Sequence, residues 1–73
     1  MADKQHEADL FMSKHLLRMV EDDLIEDNYR NEFAIGFIVS TNDLLKRGRK
    51  LSYKQSQLLS EYFSRDYWPR VED

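Results

Sequence analysis

The sequence predicts an all-α protein: a small three-helix bundle with a helix-turn-helix-like second half and an extended C-terminal tail. Three observations carry this. Apolar residues recur at three- and four-residue steps, the signature of a helix with one buried face. Glycine and proline are absent from residues 1–35, so nothing interrupts the first half. Ser52 and Gln55, three residues apart, form the signature of a helix start.

Helix 1 is expected over about residues 5–24. Leu10, Phe11, Leu16, Leu17, Met19, Val20 and Leu24 lie along one broad stripe. The following run, EDDLIEDN, gathers five carboxylates between Glu21 and Asn28, where the negative end of the helix dipole disfavours them. Asn28 is a poor helix former and a good cap, so the helix should end or kink there.

Helix 2 is expected over about residues 29–47, with Tyr29, Phe33, Phe37, Ile38, Thr41, Leu44 and Leu45 as its stripe. Gly36 lies inside it at a cost of about 1 kcal/mol relative to alanine, which suggests close approach of a neighbouring helix. FAIGFIV also fits a short buried strand, but its polar flanks and the STNDLLKRG that follows favour helix. Lys46 and Arg47 complement the dipole in the last turn, and Gly48 can adopt the left-handed conformation that ends the helix.

Helix 3 is expected over about residues 53–65, capped by Ser52 and Gln55, with Leu58, Leu59, Tyr62 and Phe63 facing inward. Pro69 forbids continuation and pushes Trp68 towards an extended conformation, which leaves residues 66–73 as a tail or an arm. Tyr67 and Trp68 either fold back over an undersized core or wait as anchors for a partner.

Seventy-three residues make one domain, 1–73, with one small core and little room for an active-site cleft. There is no cysteine, so neither disulfides nor thiolate zinc sites can help. No run approaches the roughly 18 apolar residues of a spanning helix, and the acidic N-terminus is unlike a signal peptide. A soluble, intracellular protein without a membrane partner is the expectation.

The net charge of −3 conceals a polarity: residues 1–45 hold ten acids and four bases (−6), residues 46–73 seven bases and four acids (+3). Such a chain can offer a negative patch to a basic protein surface and a positive patch to phosphate. Glu21, Asp22, Asp23, Glu26 and Asp27 are the candidate protein-binding residues, with Leu24 and Ile25 as apolar anchors among them and Tyr67 and Trp68 as further anchors. Lys46, Arg47, Arg49 and Lys50 are the candidate nucleic-acid-binding residues, and Tyr53 beside them suits contact with single strands. The plain alternative for both clusters is a solvated helix end.

Catalysis finds little support. His6 and His15 are nine residues apart and return to roughly opposite sides of a helix, and His6, Glu7 and Asp9 lack the paired histidines of helical zinc sites. No serine is tied to a base, and Ser52 is better explained as a cap. No cofactor, metal or enzymatic activity is expected. Sequence-specific DNA binding is the rival reading: a third helix in the major groove would present Lys54, Gln57 and Glu61, of which Lys54 is the one cation, a poor supply of phosphate contacts.

Across its whole length the chain resembles the small transcription-regulating proteins that lytic phages, such as one infecting Xanthomonas, direct at the host RNA polymerase. The likeness lies in MADKQHEADLF, FAIGFIVSTNDLLKRGRKLS and DYWPRVED and in the length. It implies a non-catalytic protein of the host bacterial cytoplasm that binds the amino-terminal region of the polymerase largest subunit near the RNA exit channel. It further implies inhibition of sigma-dependent initiation and read-through of intrinsic terminators. The two charge clusters suit that role if acids dock on the polymerase and cations face the nascent RNA.

Overall fold

A computed structural model describes residues 3–71; residues 1, 2, 72 and 73, including the end of the predicted tail, lie outside the described residues. Three helices form, and no strand is present among the described residues: α1 is Lys4–Glu21, α2 is Glu32–Lys46 and α3 is Tyr53–Phe63. Asp3 caps α1, its carboxylate accepting from the amides of Gln5 at 3.0 Å and His6 at 3.4 Å.

Two of the helices end the same way with different residues. In each, a left-handed residue turns the chain so that the next amide reaches back to the third-last carbonyl of the helix. At α2 that residue is Gly48 (φ 81°), with Arg49 N donating to Leu44 O at 3.0 Å. At α1 it is Asp23 (φ 62°), with Leu24 N donating to Met19 O at 2.8 Å. A left-handed aspartate is costlier than a glycine. α1 therefore stops at Glu21, short of the sequence expectation, at the point where carboxylates gather.

Asn28 caps a turn rather than a helix. Its side-chain oxygen accepts from the amides of Arg30 at 2.9 Å and Asn31 at 3.1 Å, closing residues 28–31 before α2 begins at Glu32. α3 opens on the expected capping box, with Ser52 Oγ accepting from Gln55 N at 3.2 Å and Gln55 Oε1 accepting from Ser52 N at 2.9 Å.

α1 is the shared spine, packing against both α2 and α3, which meet each other only sparingly. The edge-to-face pair Phe37–Tyr62, 5.8 Å between centroids, is part of that limited meeting. The core joins Leu16 of α1, Ala34, Ile38 and Leu45 of α2, and Leu59 and Tyr62 of α3. Ile25 from the first loop and Trp68 from the C-terminal segment complete it.

Several stripe residues behave differently from expectation. Phe11, Leu24, Tyr29 and Phe33 are exposed, and polar side chains occupy buried positions instead. Asn42 Nδ2 donates to Ser13 Oγ at 3.0 Å, joining α2 to α1, and Ser56 Oγ donates to Asp9 Oδ1 at 2.8 Å, joining α3 to α1. Gly36 is exposed, and a Cβ built on it meets nothing within 4 Å, so no helix of this chain explains it.

Over its described residues, 66–71, the tail is not an arm. Trp68 is 6% exposed, packed 5.5 Å from the Tyr62 ring with the Arg65 guanidinium 4.5 Å over its own ring. A chain this short has too few apolar residues to leave an indole outside. Behind it, Pro69 O accepts from Asn28 Nδ2 at 3.1 Å and Asn31 Nδ2 at 2.9 Å, strapping the segment across the 22–31 loop.

Candidate functional site: two charged ends on one helical spine

α1 separates the two charge clusters. The salt bridge from Lys50 to Asp3, 2.9 Å, and the 3.0 Å hydrogen bond between His6 Nε2 and Leu45 O hold the 47–52 turn at the start of α1. The acidic loop leaves from its other end. Eighteen residues of helix set the two about 27 Å apart. No ion pair among the described residues joins Lys46, Arg47, Arg49 or Lys50 to the carboxylates of Glu21–Asp27.

At the acidic end, much of the charge is already engaged. Glu26 accepts from Val71 N at 3.1 Å and Asn28 Nδ2 at 2.8 Å and lies 3.4 Å from Arg70. The Val71 amide, then Asn28, then the Arg70 charge hold its carboxyl below the usual glutamate value. Asp22 pairs with Arg18 at 3.4 Å, and Asp23 lies 3.9 Å from Arg70 while its backbone oxygen accepts from Arg70 Nη2 at 2.9 Å. Glu21 and Asp27 remain exposed, with no ion-pair partner among the described residues.

The apolar anchors of this end differ from those the sequence suggested. Ile25 is fully buried and Trp68 fills the core, so neither offers a free surface; Leu24 and Tyr67 are exposed. Two further aromatics stand close by: Tyr29, 76% exposed, and Phe33, 72% exposed in the first turn of α2. Stripe reasoning placed both inside, because three-four spacing marks a face without saying how wide the covered part of it is. Asp27, Tyr29, Glu32 and Phe33 together put exposed rings among carboxylates at the entry to α2.

The basic end is less encumbered. Arg47 pairs with Asp43 at 3.2 Å and Lys50 with Asp3, which lies below the ordinary aspartate value chiefly because of Lys50 and then the His6 amide. Lys46 and Arg49 are exposed without an ion-pair partner among the described residues, as is Lys54 in the first turn of α3. Tyr53, 81% exposed, stands between Arg49 and Lys54 in sequence.

A third feature had no signal in the sequence. Phe11, His15 and Phe63 form an exposed ring cluster along the α1–α3 seam, with centroids 5.2 Å apart for His15–Phe63 and 6.0 Å for Phe11–Phe63. His6 is committed to Leu45 O, and no group of acids and histidines among the described residues could hold a metal ion. No described helix is long and apolar enough to cross a membrane. Lys54, Gln57 and Glu61 all face outward, yet the sparse packing between α2 and α3 gives little of the firm two-helix unit that groove readers use.

These features define a small helical module with two chemically different ends and a spine between them. Comparison with known proteins adds no identification: no protein-family model, curated protein or solved structure matches the chain.

Proposed function

We propose that the protein is a phage-encoded regulator that acts by adhesion: it binds host RNA polymerase, inhibits sigma-dependent initiation and promotes read-through of intrinsic terminators. The resemblance read from the sequence supplies the partner. What supports the reading in the structure is the separation of the two ends, with exposed rings among carboxylates at one and, at the other, the cations Lys46 and Arg49 without an ion-pair partner among the described residues. Aromatic anchors inside a charged rim are the usual build of a protein contact. The docking surface is Glu21, Asp27, Tyr29 and Phe33, facing a basic region of the amino-terminal part of the largest subunit. Asp22, Asp23, Glu26 and Trp68 serve it indirectly by shaping the loop. Lys46 and Arg49, about 27 Å away along α1, face the nascent RNA.

Affinity capture with the tagged chain from host lysate tests this reading. The expected result is enrichment of the polymerase subunits at moderate salt, reproduced with purified core enzyme. Absence of binding to purified core enzyme contradicts it.

A further inference from the structure

Between α1 and α3 lies a cleft of about 330 Å³, lined by Gln5, Met12, Leu51, Tyr53, Ser56, Gln57 and their neighbours Ser52 and Ser60. It opens beside the cationic turn. The volume sits at the low end of small-molecule sites, enough for one heterocycle and too little for a peptide helix.

Three observations limit what fits. No charged residue among the described ones lines the cleft, so the part of a ligand that enters it is uncharged. The lining mixes apolar groups (Met12, Leu51) with an exposed ring (Tyr53) and a row of amides and hydroxyls, which suits a flat heterocycle with hydrogen-bonding edges. Part of the polar row is held in place from below. Asp9, 2% exposed, accepts from Gln5 Nε2 at 3.0 Å and from Ser56 Oγ at 2.8 Å, while Gln5 Nε2 also reaches Ser56 Oγ at 3.1 Å. Gln57 and Ser60 have no side-chain partner among the described residues.

Charge appears immediately outside. Arg49 lies two residues before the lining residue Leu51, and Lys54 directly follows the lining residue Tyr53; both are exposed and without ion-pair partners among the described residues. An uncharged pocket beside exposed cations matches a ligand that is neutral in one part and anionic in the next, which is the chemistry of a nucleotide.

We propose that the α1–α3 cleft is a base-binding site for single-stranded RNA, in which Tyr53 stacks on one base, Gln57 and Ser60 meet its edge, and Arg49 and Lys54 hold the adjoining phosphates. This deepens the RNA-facing half of the proposed function. It assigns the contact to a pocket, where a loose cationic surface alone would bind any polyanion.

The test is fluorescence anisotropy with a labelled uridine decamer at low salt. Tyr53→Ala weakens binding by roughly tenfold, Tyr53→Phe keeps it, and neither changes the helical circular dichroism, because the ring is exposed. Arg49→Ala lowers the salt dependence by about 0.7 in log–log slope, the value of one phosphate contact on a single strand; Tyr53→Ala leaves that slope unchanged. A decamer of abasic sites binds more weakly than the uridine decamer. Equal affinity for the abasic strand, or for Tyr53→Ala and the parent, overturns the site. Competition by free UMP at equal base concentration moves the ligand to mononucleotides and overturns the single-strand assignment. Loss of polymerase capture on Tyr53→Ala with RNA binding intact makes the cleft a protein contact instead. Failure of the parent chain to capture polymerase, with decamer binding and its Tyr53 dependence intact, removes the proposed function and leaves this site standing.

Discussion

At each end of α1 the chain leaves a helix and turns, α2 at the basic end and α1 itself at the acidic end, with opposite consequences for the charges. At the basic end a glycine takes the left-handed position, the Ser52–Gln55 box and the Arg47–Asp43 pair close the turn locally, and Lys50–Asp3 and His6–Leu45 O tie it to the start of α1 through exposed or half-buried side chains. At the acidic end an aspartate takes that position, and the loop is held from outside by the returning C-terminal segment through Trp68, Pro69, Arg70 and Val71. The lesson is that a charge cluster in sequence is not the same as available charge. Three of the five acids are structural partners, whereas Lys46, Arg49 and Lys54 are left without carboxylate partners among the described residues.

The largest expected effect follows from that asymmetry. Trp68→Ala removes a buried indole and the base of the strap, a loss of about 3–5 kcal/mol, which is most of the stability of a domain this small. The same truncation at Tyr53, an exposed ring at the other end, should stay within about 0.5 kcal/mol. Urea titration followed by circular dichroism measures both. Equal losses would erase the distinction between an end buttressed by a buried core residue and one held by surface contacts.

A smaller effect compares the two left-handed residues. Gly48→Ala forces a Cβ into positive φ and should cost about 1–2 kcal/mol, while Asp23→Gly relieves the same conformation at α1 and should be neutral or mildly stabilising. Thermal melts of the two variants separate them. A destabilising Asp23→Gly would mean that its carboxylate, 3.9 Å from Arg70, contributes more than the backbone strain costs.

The smallest effect is a pH response of the strap. Glu26 has a folded-state value below its unfolded one, so its contribution is fully present above the ordinary glutamate value, about 4.3, and is lost as pH falls through the folded value. Emission from Trp68, the single tryptophan, should change below about pH 4.3 as the segment loosens, and Glu26→Gln should remove that transition. An unchanged transition in Glu26→Gln would place the acid sensitivity elsewhere, Asp3 being the other depressed carboxyl.

The helices were legible because their signals are local. The Ser52–Gln55 box, the left-handed Gly48 and the broad register of all three helices follow from neighbours in sequence. What escaped is tertiary. Asp9, Ser13 and Asn42 look like surface residues in a string of letters, and only the docking of α2 and α3 on α1 turns them into a buried polar ladder. Gly36 was read as a close-packing residue, yet it faces open space. Tyr29 and Phe33 share a periodicity with Ile38 and Leu45, but the spine covers only part of that face. The acidic run is plain in the sequence; that Arg70 and Val71 return to engage Glu26 is a contact across more than forty residues of chain.

The most direct test of the account is capture of purified core polymerase by two charge variants at moderate salt. Glu21→Lys with Asp27→Lys, which leaves every ion pair of the strap in place, should abolish most capture, whereas Lys46→Ser with Arg49→Ser should capture as well as the parent. Equal capture by both variants, or loss only in the second, would contradict the assignment of docking to the acidic end.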